Sequence, residues 1–567
     1  MKNSVIAIGL DSADPDLMEQ WIAEGHLPNL QKLIQDGTYG RIRNTVNHAD
    51  GPTRTCSTER LWSMAWSGCR PDKTGFWDTS KFFPDDYSIC RDEEKIGVNF
   101  AEEYPPFYAF LGERRVAAFD LPASGLCDRV NGKQILGWGG HYPFTPSHST
   151  PDNLLPDLIE KYGENDVLYN DHGFWGDPKY AQWLSGALNR SVDTRTTICR
   201  DLLNEEDWDL FVAAFPEPHS GGHDLLHLTL PDHPVYPAYK QRVAPDYSPV
   251  LDIYKAVDRG VGQILEDAPD NSHVVCFSVH GMGNNITDAL SMVMLPETIY
   301  RWNFPGKQAL APGVVGSDPG PGLTEPNRNS WQGEIWNLNH EPNPIKRFIR
   351  NWLPRKLQKP VHNDLVAPWL LAKEGVNPSW MPTMWYSRLW PQMKAFALPS
   401  FADGHIRINL KGRERDGVVL PEDYDAVCDE LIELLNGLVD ARTGETIVDR
   451  VVRTRKYPTE DSDRNRLPGP DLVVLWKQNY PTDVVDSPQV GRVGPVPCPR
   501  PGGHKNDGFV IAKGSGIEPG STTPPVEGVD IGPTILTLLG ASVPKHLDGE
   551  PISTIVSAIQ VPAVSSV

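Results

Sequence analysis

Three histidines recur every fourth residue in the stretch FPEPHSGGHDLLHL: His219, His223 and His227. Residues four apart share one face of a helix, so the pattern offers either a set of metal ligands or the polar side of an ordinary helix. The pair Gly221–Gly222 between them lowers helix propensity and predicts a tight loop instead. Other groups of the same chemistry stand where apolar runs end. Asp11 closes VIAIGL, His280 follows HVVCFSV, and His504 lies in the late segment GGHKNDG. A hydroxyl nucleophile is offered by ERLWSMAWSGCRPDKTG, in which Ser63 follows Trp62 and precedes a glycine turn, with Ser67 as its rival. Imidazoles and carboxylates together suit zinc, and manganese or iron as well. A dication beside a hydroxyl lowers its pKa and makes it a nucleophile at neutral pH.

Each group alone has a plainer reading. Asp11 before SADPD suits a helix N-cap. Arg60, Arg70 and Arg413 serve ion pairs as readily as substrate oxyanions. The 17 tryptophans are core or scaffold before they are stacking platforms.

The elements that must position these residues follow from periodicity. SVIAIGLD, DLFVAAF (209–215) and HVVCFSVHG (273–281) read as buried strands that run into polar residues. DPDLMEQWIAEGHLPNLQKLIQDG reads as a helix, a break and a second helix closed by Gly37, and residues 248–268 have helical periodicity. Strands alternating with helices predict a parallel sheet covered by helices, with ligands bound outside the carboxyl ends of the strands. Residues 1–299 are expected to form the first part of this α/β domain. The Pro- and Trp-rich stretch 300–385 is expected to be an insertion or cap over the site, 386–558 the remainder of the domain, and 559–567 a disordered tail.

Composition narrows the function classes. Lys plus Arg is 53 against 74 Asp plus Glu, a net charge of −21. That surface repels phosphate backbones and anionic membranes, so no nucleic-acid polymer and no membrane partner is expected. An anionic small-molecule substrate needs local positive charge, which bound metal ions supply. No apolar run approaches a membrane span of about 20 residues, and the N-terminus lacks a signal-peptide core. The eight scattered cysteines form no CxxC pair. Free thiols and a cytoplasmic location are the expectation.

Taken in order, the Asp11 strand, the hydroxyl segment, HxxxH, HG and GGH resemble the alkaline phosphatase superfamily in its type I phosphodiesterase / nucleotide pyrophosphatase branch. VIAIGLDSADPDL is similar to the family's opening strand and metal aspartate, and WSMAWSGCRPDKTGFW to its nucleophile segment. HIRINLKGRERDGVV and GVDIGPTILTLLGASVPKHLDG are similar to later segments. The resemblance implies an alkaline-phosphatase-like fold, a mostly parallel sheet flanked by helices. It implies that His219, His223 and His504 hold one zinc, that Asp11 and His280 hold another, and that Ser63 is the nucleophile bridging toward it through a covalent phospho-enzyme.

Two positions depart from the family's pattern. His219 stands where many relatives have aspartate. Val279 stands where relatives have the first carboxylate of DHG, which leaves the second metal position one ligand short. Glu217 and Asp14 are candidates for that place on proximity. Together with His227 and Arg60, they are also candidates to support the ligands or touch substrate. The expected function is a metal-dependent phosphodiesterase or related phosphoester hydrolase. One alternative is a phosphoryl or sulfuryl transferase passing the group to an alcohol on the same centre. Another is a non-catalytic binding relative, for which Val279 is the main support.

Overall fold

The computed structural model describes residues 4–90, 100–139, 147–168, 173–325, 330–341, 343–345, 365–459 and 467–557. The expected tail at 559–567 lies outside them, as do residues 346–364 of the stretch 300–385.

Val5–Leu10 (β1) is buried along its whole length. Its alternate residues feed two different cores: Ile6, Ile8 and Leu10 one, Val5 and Ala7 the other. A strand covered on both faces reads as an uninterrupted apolar run. Six further strands of this sheet come from the first half of the chain: Thr38–Arg43 (β2), Val116–Phe119 (β3), Gly132–Leu136 (β4), His148–Thr150 (β5), Leu210–Phe215 (β6) and His273–Ser278 (β7). A short strand, Gly281–Asn284 (β8), lies outside it.

Four strands of a second sheet follow: Ala395–Leu398 (β9), Gly404–Ile408 (β10), Val448–Arg453 (β11) and Leu472–Trp476 (β12). The chain then returns with Gly502–Lys505 (β13), Asp507–Lys513 (β14) and Ser521–Thr522 (β15). The main sheet has the order β15-β2-β14-β7-β1-β6-β3-β4-β5. The run β7-β1-β6-β3-β4 is parallel, while β14 enters antiparallel beside β7.

Helices Pro15–Ala23 (α1), Pro28–Gln35 (α2), Pro178–Glu205 (α4) and Pro249–Glu266 (α6) pack into the core on one face, and Thr58–Ser67 (α3) and Ile531–Leu538 (α7) on the other. This is the expected α/β layering. The second sheet has its own apolar core. Leu310, Ile335, Trp336 and Trp385, all from the stretch 300–385, are buried in it beside Phe396, Ile408 and Val474. No helix among the described residues is long and apolar enough to cross a membrane. All eight cysteines are free thiols.

Candidate active site

The site sits where β7, β1 and β6 end side by side. Leu10 is in register with Phe215, and Gly9 with Phe277. The next residues of each chain therefore emerge within one or two strand spacings of about 4.8 Å. β1 delivers Asp11 and β7 delivers His280. β6 runs into the helix Glu217–Leu225 (α5), which carries His219 and His223. His504 arrives from far along the chain on β13, which pairs antiparallel with β8 and sets His504 opposite Met282.

The expected loop at HSGGH is a fully buried helix, so tertiary packing overrides the glycines' propensity. The glycines are there for space. A Cβ at Gly221 would stand 2.5 Å from Ile253 Cδ1 of α6, and one at Gly222 would stand 2.6 Å from Met282 Cγ of β8. Only a helix without side chains at these points fits between its neighbours.

His219 Nε2 lies 3.0 Å from His223 Nε2 and 2.9 Å from His504 Nε2, and the third edge is 3.1 Å. His223 Nδ1 donates to the Gly502 carbonyl at 2.8 Å. That fixes the tautomer and leaves Nε2 as a bare lone pair. His219 Nδ1 lies 3.3 Å from Asp11 Oδ2. Three ring nitrogens this close, aimed at one point, suit a cation between them. Three ligands of a tetrahedral zinc, at bonds of about 2.0–2.1 Å, stand roughly 3.3 Å apart. The observed triangle is within a few tenths of an ångström of that, so these residues fit a zinc-like ion.

Asp11 joins this triangle to His280. Its Oδ1 accepts from Trp62 Nε1 at 2.7 Å and lies 3.4 Å from His280 Nε2. Trp62 reaches it because Gly9 carries no side chain; a Cβ there would sit 2.7 Å from the indole. The bulky residue in the hydroxyl segment thus orients the aspartate. Val279 is buried in the apolar core, with its carbonyl accepting from Asn44 Nδ2 at 2.6 Å.

The geometry sets Ser63, the expected nucleophile, apart from the histidines. Ser63 lies inside α3 and its hydroxyl donates to the Arg60 carbonyl at 2.8 Å, the back-bonding usual for a mid-helix serine. Ser67 does the same to the Ser63 carbonyl. The hydroxyl among the histidines is Thr58, the first residue of α3. Its Oγ1 is 2.9 Å from His280 Nε2 and 3.3 Å from His504 Nε2. The sequence signal for it is the run Thr55–Cys56–Ser57–Thr58 at a helix start, a place where a side chain can face out of the loop layer.

The four supporting candidates separate. Glu217 is wholly buried; its Oε1 meets Arg195, 2.9 Å away, which also meets Asp120 at 2.8 Å, while its Oε2 has no hydrogen-bond partner among the described residues. Asp14 caps α1 and pairs with Lys505 at 3.0 Å; burial raises its pKa although Lys505 opposes the shift. His227 neither faces substrate nor lies on the surface. It is fully buried between Trp175 and Tyr239, and burial holds its pKa well below the usual value. Arg60 is buried, donating to the Trp77 carbonyl at 2.7 Å and to Thr55 Oγ1 at 2.9 Å.

No curated protein sequence matches the chain. Among solved structures, phosphonoacetate hydrolase from Sinorhizobium meliloti 1021, in complex with phosphonoformate, aligns at 11% identity. That alignment covers 96% of each chain with a TM-score of 0.46. Murine ectonucleotide pyrophosphatase / phosphodiesterase 5 aligns at 11% identity over 98% of this chain and 100% of its own, with a TM-score of 0.45. The family profile described as type I phosphodiesterase / nucleotide pyrophosphatase matches residues 5–318, more than half of the chain. This chain belongs to the type I phosphodiesterase / nucleotide pyrophosphatase family.

Proposed function

We propose that the protein is a metal-dependent phosphodiester hydrolase in which His219, His223 and His504 hold a zinc-like ion and Thr58 is the nucleophile. The observation that carries this reading is the triangle of Nε2 atoms with the Thr58 hydroxyl 3.3 Å from one of them. Bound there, the ion supplies positive charge for the phosphoryl oxygens and for a water that completes hydrolysis.

The chain's own groups do the rest. Thr58 opens a ten-residue helix, so its Oγ1 stands at the positive end of the helix dipole, where an anionic substrate is favoured. Its hydroxyl faces His280 Nε2, the arrangement of a nucleophile and its base. His280 Nδ1 lies 3.2 Å from the Gly281 carbonyl, which turns the Nε2 lone pair toward Thr58. As Oγ1 bonds to phosphorus, its proton passes to His280 Nε2 and the ester bond to the leaving alcohol breaks. Asp11, 3.4 Å away, balances the imidazolium charge. Water then cleaves the phosphothreonine ester. Were a second ion held by Asp11 and His280, His280 would be its ligand and not the base, and Val279 would leave that ion a ligand short.

Thr58→Ala tests the reading. Turnover of bis(p-nitrophenyl) phosphate falls by at least a thousandfold while metal analysis still finds about one zinc per chain. Near-normal turnover by this variant, or full activity of chelator-treated enzyme, overturns the proposal.

A further inference from the structure

Beside α3 lies a second polar recess, where the main-sheet lobe meets the second sheet. Arg60, two residues beyond Thr58, forms part of its wall; His48, Asp78, Asp403 and His405 supply its other charged or titratable groups. The rest is apolar or aromatic, with Trp77 and Phe82 on one side and Leu398 and Pro470 on the other.

These polar groups are only partly employed. His405 is 7% exposed, and its side chain has no hydrogen bond or ion pair among the described residues. Nδ1 of His48 is likewise without a partner among them. Asp403 stands 4.0 Å from the Arg60 guanidinium, beyond hydrogen-bond range. Burial pushes the His405 imidazole down to about 4, and burial with Arg60 pushes His48 down to about 3, so both are neutral near pH 7. A neutral imidazole presents one donor and one acceptor. Buried polar groups left unpaired are costly, and a ligand that both donates and accepts removes that cost.

The charges restrict the ligand. Asp403 and Asp78 oppose an anion, and Arg60 opposes a cation. Hydroxyl groups match what remains, since each donates and accepts, and ring C–H faces match the aromatic and proline surfaces.

We infer that this recess binds the uncharged, polyhydroxylated alcohol of the substrate, a sugar or cyclic polyol esterified to the phosphorus that Thr58 attacks. The inference rests on the phosphodiesterase reading for its place in catalysis. The recess and the nucleophile share the Thr55–Arg60 backbone, and Arg60 is anchored to Thr55, so occupancy of one bears directly on the geometry of the other.

The test compares p-nitrophenyl phosphodiesters of myo-inositol, choline and methanol on the zinc-loaded enzyme. The inositol ester exceeds the methyl ester at least tenfold in kcat/KM and the choline ester does not. His405→Phe and the near-isosteric Asp403→Asn each bring the inositol-to-methyl ratio to within about twofold of one. A wild-type ratio near one, or a preference for choline, overturns the inference.

Binding of free myo-inositol, read by saturation-transfer NMR on zinc-loaded Thr58→Ala, needs no turnover. Binding that His405→Phe abolishes, in a protein that turns over none of the three esters, leaves the recess standing and removes the phosphodiesterase reading. Hydrolysis of the methyl ester with no inositol binding removes the recess alone. Absence of both removes both.

Discussion

At the scale of single residues, the centre depends on where each hydroxyl points. Thr58 and Ser63 lie in one helix, yet the first faces the imidazoles of His280 and His504 and the second its own backbone. Ser63→Ala therefore keeps phosphodiesterase activity within about threefold and costs about 1 kcal/mol of stability, the worth of a typical hydrogen bond. Steady-state kinetics and a thermal melt check both. Loss of activity equal to that of Thr58→Ala would return the nucleophile to Ser63.

Val279→Asp is the complementary case. A carboxylate placed in that core is costly without a partner, so the melting temperature falls in chelator. Added zinc then raises it by more than in the wild type, as a second ion becomes bound. An equal zinc shift in both proteins means that another group already completes the place. The types of these residues were legible from the sequence: Asp11, the histidine pair, His280 and His504 all come from motifs. The hydroxyl of the proposed mechanism was not, because tryptophan and glycine neighbours mark Ser63, whereas Thr58 stands out only by its position in the first turn, a property of the helix start.

At the scale of elements, α5 is the part that sequence reading misjudged. Its glycines argue for a loop by propensity, but Ile253 and Met282 press on it from two sides and leave room for nothing larger. Its entrance is fixed by the fully buried Asp120–Arg195–Glu217 ion pairs. Arg195 also donates to the Ala214 and Gly139 carbonyls, tying α4 to the end of β6. Glu217→Ala leaves this guanidinium short of an anion, and breaking such a pair costs about 3–5 kcal/mol. Chemical denaturation should show that loss, and zinc affinity should fall with it, because His219 and His223 follow on the same helix. A stability loss without weaker zinc binding would separate the ion pairs from the histidines' placement. The strands and most helices, by contrast, were readable, since two-sided burial writes them as unbroken apolar runs and α6 as a periodic one.

At the scale of the whole molecule, two cores meet at the recess, and the side of the second sheet carries buried charge as the main sheet does. Asp471 is fully buried. Burial raises its pKa, yet Arg413, Arg455 and Arg407 hold it well below the usual carboxylate range. Asp403 behaves in the opposite way: burial lifts it from 3.8 to about 6, with Arg60 only partly opposing the lift. The folded protein therefore takes up this proton at a higher pH than the unfolded chain does. The ionised side chain destabilises the fold above pH 6, and that penalty disappears as pH falls toward 4.

Asp403→Asn should accordingly be more stable than wild type at pH 7.5, by up to about 3 kcal/mol, with the advantage gone at pH 4. Denaturant titrations at the two pH values measure it, and a gain independent of pH would assign the effect to something other than this carboxyl. None of this charge pattern was visible in the overall balance of −21. Net charge reports on the surface, while Asp403 meets Arg60 from far along the chain and Asp471 gathers Arg407, Arg413 and Arg455 from its own side of the molecule.

The ribbon of β8 and β13 has a consequence for biosynthesis. It carries His504 and the Gly502 carbonyl that orients His223, and both leave the ribosome after nearly everything else in the main sheet. While the nascent chain is still being extended, the earlier histidines wait on an incomplete pocket, able to hold a dication only loosely. On the proposed reading, tight metal capture waits until β13 has been made and paired with β8.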